Sequence, residues 1–155
     1  MGAVHADIEL INVRDAIRAE EGLIREDQIR KASVRALVDT GATVLVIPDS
    51  LRRSLGLRTV ARRPVVTADG AVQECDVVGP VEVRFGDRDM TGRAIVMPGE
   101  VEILFGQVQM EEMDLLVDPL GQKLIPNPAS PDRARLMAVG VRLRGGFAPE
   151  PESRP

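Results

Sequence analysis

Among the side chains able to do chemistry, Asp39 stands in the most demanding setting. It lies inside Ala36-Leu37-Val38-Asp39-Thr40-Gly41-Ala42-Thr43-Val44-Leu45-Val46-Ile47. Apolar residues crowd it on both sides, so its carboxylate has to accept hydrogen bonds, take up a proton or serve a reaction. Gly41 permits a tight turn with positive φ, and Thr40 and the neighbouring amides are donors in reach of the carboxylate. The same tripeptide also builds ordinary Asx-turns between strands, so its surroundings must decide what it does.

Other chemistries lack their residues. Hydrolysis by serine or cysteine needs a histidine beside the nucleophile; the single histidine is His5, and no Gly-x-Ser-x-Gly occurs. One His and one Cys cannot build a zinc site within a chain, and no phosphate-binding loop is present, so no metal or cofactor is expected. Cys75 reads as a small strand side chain. As the only cysteine it excludes an internal disulfide and fits a reducing compartment. With 2% aromatics, no Trp or Tyr and a net charge of −4, the chain is a poor partner for nucleic acid. No apolar run approaches a bilayer span, and the first residues lack a basic and an apolar region, so a cytoplasmic protein away from membranes is expected.

Strands must carry the acid. Ala6, Ile8 and Leu10 alternate with Asp7 and Glu9 in an opening strand, and Val34, Ala36 and Val38 share one face of the strand that delivers Asp39. Between them, acids and bases interleave from Arg14 to Asp27, which predicts helical turns with a solvated charged face. Pro48 to Leu57 has the punctuation of a two-turn helix, with Leu51 and Leu55 toward the core. Asp69-Gly70 between Val65-Val66 and Val72 signals a hairpin. Val77 to Phe85 and the run to Met97 form a second hairpin. Val101 to Gly106 reads as a short strand, Gln107 to Asp114 as a short helix, and Leu115 to Pro126 as two strands around Leu120-Gly121-Gln122. Beyond Asn127, prolines among charges and glycines read as a tail.

Four of these segments, in order, resemble the retropepsin-like aspartic proteases, single-domain relatives of pepsin: the loop at Asp39, the Asp69-Gly70 hairpin, the apolar run into Gly106 with its helix, and the strand near Leu124. Asp39-Thr40-Gly41-Ala42 and the stretch Ile103 to Pro128 look like small bacterial members of that group. The resemblance implies an all-β acid-protease barrel with one or two short helices over residues 1–127, followed by a Pro/Gly-rich tail at 128–155. The family's mechanism needs two aspartates around one water, and this chain has one Asp-Thr-Gly. It therefore implies a homodimer, each subunit half of a two-fold symmetric unit, cleaving peptides or proteins between the two copies of Asp39.

The same resemblance makes Thr40 the lock between the two loops and Gly41, with Ala42, the lining of the substrate strand. Ala68, Asp69 and Gly70 become the flap tip, while Leu104 and Gly106 support the loop from behind. It also assigns Leu124 and Ile125, with Ile8 and Leu10, to a sheet between subunits. Retroviral relatives carry acidic residues after the loop and an arginine after the later glycine. Here Thr43, Val44 and Gln107 stand there, so both halves of that ion pair are absent and dimer support has to come from elsewhere. A catalytically silent dimer that binds peptides or partner proteins in the same groove is the alternative.

Overall fold

A computed structural model of the chain describes residues 2–138. In β1 (His5–Asn12), Ala6, Ile8 and Leu10 turn into the core, as successive strand side chains face opposite ways. Then come α1 (Val13–Glu20), a 3-10 turn (Glu26–Gln28), β2 (Lys31–Val38), β3 (Leu45–Pro48), α2 (Asp49–Leu55) and β4 (Arg58–Val66). The chain continues through β5 (Val72–Phe85), β6 (Arg88–Met97), β7 (Leu104–Phe105), α3 (Gln107–Glu112), β8 (Leu115–Asp118) and β9 (Lys123–Pro126).

Seven strands make one sheet in the order β1-β2-β7-β3-β6-β5-β4, and it closes because β1 also pairs with β5 from Glu9↔Arg84 to Asn12↔Val81. Closure pairs strands within the ring that would otherwise be open to other chains. The long β5 makes this possible by holding β4 along residues 72–79 and β1 along residues 81–84. β4 is left outside the ring as an edge strand, where Pro64, which has no N–H, is tolerated. β8 and β9 form a separate two-stranded ribbon.

Inside the ring, Leu10, Leu45, Ile47, Val78, Val81, Val83 and Phe105 are almost fully buried, each contributing about 1.5–3 kcal/mol. α2 closes one end: Leu55 is buried, Leu51 packs against the core, and Gly56 ends the helix at φ +62°.

Among the described residues there are three short α-helices, and α1 falls in the stretch where interleaved charges predict helical turns; it is capped by the Asn12 side chain, which accepts the Asp15 N–H at 3.1 Å. One expectation needs correction: the stretch from Arg14 to Asp27 is not a uniformly solvated face. Asp15 is 4% exposed and accepts the backbone N–H, Nε and Nη2 of Arg30 at 3.0, 2.7 and 2.9 Å, because α1 folds back on the start of β2. Ile8, Leu10 and Leu124 are buried in the protomer's own core, since strand alternation points them inward. Ile125 alone of that set keeps partial exposure. Among the described residues no helix is long and apolar enough to cross a membrane.

Candidate active site

The loop 39–44 is held by a strand threaded between its two flanks. β7 lies between β2 and β3, parallel to the first through Leu37↔Leu104 and Val38↔Phe105, antiparallel to the second through Val46↔Leu104. Leu104 thus pairs with both strands that flank the loop. The Asp39 N–H donates to the Phe105 carbonyl at 3.0 Å, and the Ala42 N–H closes a turn onto the Asp39 carbonyl at 3.1 Å.

Behind the loop, α3 begins at once. The N–H groups of Gln107 and Val108, unpaired within a helix's first turn, donate to the carbonyls of Ala42 and Thr43 at 2.8 and 3.0 Å. Gly106 is what lets the two backbones approach. A Cβ there would lie 2.7 Å from the Val44 oxygen and 2.8 Å from the Ala42 oxygen. The buried Gln109 side chain accepts the Gly106 N–H at 3.2 Å and completes the bracing.

The Asp39 carboxylate is half-buried at the protein surface. Its Oδ1 accepts the Gly41 N–H at 2.8 Å, and among the described residues no other donor reaches the group. Gly41 does not adopt the positive φ expected of it. What it supplies is room, because a Cβ would stand 3.1 Å from Asp39 Oδ1. The Thr40 hydroxyl is exposed and makes no bond to the acid.

At the β4–β5 tip, Thr67 and Ala71 pair across Ala68, Asp69 and Gly70, with the Gly70 N–H on the Thr67 carbonyl at 2.9 Å and Gly70 at φ +82°. Asp69 accepts the Thr67 hydroxyl at 2.5 Å and the Ala71 N–H at 3.1 Å, which hold its carboxyl below its usual pKa. Thus Asp39, Thr40, Gly41, Ala42, Leu104 and Gly106 come together in one braced unit, whereas no hydrogen bond ties Ala68, Asp69 or Gly70 to it.

A second polar centre escaped the sequence. Arg88, 3% exposed, donates from Nη1 to the Met113 and Asp114 carbonyls at 3.0 and 3.3 Å and from Nη2 to the Ser130 carbonyl at 2.5 Å. Asp114, at φ +52°, accepts the Ser130 hydroxyl, the Asn127 amide at 2.9 Å and the Arg135 N–H at 3.0 Å. These donors hold its carboxyl down to about 2. Residues 128–135, on the far side of the expected domain end, are thereby tied to the domain. The rest of the expected tail, 139–155, lies outside the described residues. No spacing rule could have announced a buried arginine at the start of a strand or a left-handed aspartate.

A closed β-barrel with an Asp-Thr-Gly loop crossed from behind by a glycine-led strand and helix defines a retropepsin-like aspartic protease fold. The family model described as "Aspartyl protease" matches residues 27–118, so the chain belongs to that family. Among solved structures it is similar to the retroviral protease-like domain of Ddi1 from Leishmania major, with a TM-score of 0.53 and 13% identity over 83% of this chain and 90% of that one. No curated protein matches it.

Proposed function

We propose that the protein is a homodimeric aspartic endopeptidase in which Asp39 of each subunit meets its symmetry mate around one water. The observation that carries this reading is the half-exposed Asp39 carboxylate, pinned by the Gly41 N–H on a loop that α3 and β7 hold from behind. The bracing fixes the acid before any partner arrives, which is what a preorganised site requires.

Two carboxyl groups this close share one proton. The ionised Asp39 takes a proton from the water as its oxygen attacks the peptide carbonyl carbon, and the protonated one gives its proton to the carbonyl oxygen. The tetrahedral intermediate then breaks its C–N bond as the Asp39 that took the water's proton gives it to the leaving nitrogen. A hydroxyl of the intermediate returns a proton to the other Asp39, and the carboxylic acid product forms. The β4–β5 hairpin, with Ala68, Asp69 and Gly70 at its tip, is the flap that covers an extended substrate by strand addition. The buried, unpaired Cys75 supports a reducing, cytoplasmic setting.

The test is a mixed peptide library incubated with wild type and with Asp39→Asn, read by mass spectrometry. Wild type cleaves within peptides at mildly acidic pH and the variant does not. Equal cleavage by both would overturn the Asp39 reading, and cleavage by neither would leave the silent peptide-binding dimer.

A further inference from the structure

A groove of about 1010 Å³ runs between α3, β8 and the segment after β9, with Thr40 on its lip. Four apolar side chains on its walls stay in water: Val108, Leu116, Leu136 and Met137 are 36%, 45%, 68% and 77% exposed. Exposed apolar groups gathered in one place mark a contact surface.

The strap that carries two of them is held in place. The buried Arg88 grips the Ser130 carbonyl, and Asp114 accepts the Ser130 hydroxyl and the Arg135 N–H. The Arg135 guanidinium turns back onto the Ala129 carbonyl at 2.6 Å. Leu136 and Met137 follow directly, so they are presented at the groove instead of being folded under the protein.

The groove also carries both signs of charge, with Glu111 and Glu112 on α3 and Arg135 on the strap. A surface that meets its own copy across a two-fold axis needs complementary groups within one patch. Because Thr40 adjoins Asp39, a second copy that brings its own Asp39 to this one covers the groove as well.

We propose that the 128–137 strap is a dimerisation arm, in which Leu136 and Met137 of each subunit pack on Val108 and Leu116 of the other while Arg135 faces the opposite Glu111 and Glu112. This rests on the paired-Asp39 reading of the function. It supplies the intersubunit support left vacant where Thr43, Val44 and Gln107 replace an ion pair.

The experiment uses two charge-reversed chains, Arg135→Glu and the double variant Glu111→Arg/Glu112→Arg, with sedimentation and far-ultraviolet circular dichroism. Each side chain is at the surface, so both variants keep the wild-type spectrum. Each alone self-associates at least about tenfold more weakly than wild type, and an equal mixture regains wild-type pairing. A Leu136→Asp/Met137→Asp chain loses pairing by a similar factor. Wild-type pairing by every variant would overturn the arm and leave the two-aspartate reading standing. Strap-dependent pairing combined with cleavage that ignores Asp39→Asn would do the reverse, and a monomeric wild type would overturn both.

Discussion

Replacing Gly106 by alanine probes the bracing of the acid loop with a single methyl group. The backbone there has φ −92° and ψ −178°, which alanine adopts freely, so the substitution isolates the contact. The new Cβ would stand 2.7 Å from the Val44 oxygen, 2.8 Å from the Ala42 oxygen and 2.9 Å from the Val44 carbonyl carbon. All three are backbone atoms, so no flexible side chain can yield. Overpacking of this kind costs about 1–3 kcal/mol. Relief by sliding α3 away would weaken the bonds from Gln107 and Val108 to Ala42 and Thr43, each worth about 1 kcal/mol. By either route the loss is about 1–3 kcal/mol, a sizeable share of a typical domain's stability. Urea unfolding of Gly106→Ala should show a lower midpoint with an unchanged slope, and peptide cleavage should fall because Asp39 rides on the displaced loop. A midpoint equal to wild type, with cleavage intact, would refute the idea that this close approach sets the loop.

Arg30→Ala should destabilise the protein by about 1–3 kcal/mol in chemical denaturation, since the Asp15 side chain at 5% exposure loses two charged donors; the half-exposed arginine keeps the cost below that of a fully buried pair. The Arg30 hydrogen bond also lowers the Asp15 pKa in the folded state, so this stability is present above the usual carboxylate pKa and fades as pH falls below it; Arg30→Ala should flatten that acid limb. Asp114 has the same sign, its folded value held to about 2 against an ordinary 3.8, first by the Ser130 hydroxyl and then by the Asn127 amide. The melting temperature should therefore drop as pH falls from 3.8 toward about 2, and Asp114→Asn should melt lower at neutral pH with less further loss in acid.

Much of the frame was legible because local chemistry dictated it. The Ala6, Ile8, Leu10 alternation, the Gly56 stop and the Asp69-Gly70 turn each rest on a few adjacent residues, and each has its counterpart in the structure. Asp39 was legible as an acid between two strands. The strand that braces it was legible as part of the apolar run Val101 to Gly106, but its place between β2 and β3 was not, because that is a matter of topology, not period. The Asp15–Arg30 pair was hidden because interleaved charges look alike whether they face water or one another. Arg88 and Asp114 were hidden for a related reason: a strand-end arginine and a helix-end aspartate gain their roles only when Asn127, Ser130 and Arg135 come back across the domain. Gly41 carried the opposite lesson, its type expected for a dihedral angle and required instead for the space beside Asp39.

The central claim, that catalysis needs one Asp39 from each of two copies, is tested most directly by subunit mixing. Wild type and Asp39→Asn are combined in equal amounts, allowed to exchange, and assayed for peptide cleavage at constant total protein. If both carboxyl groups are required, random pairing leaves about one quarter of the activity of an equal total of wild type. About one half would mean that each Asp39 works alone, and the account would be wrong.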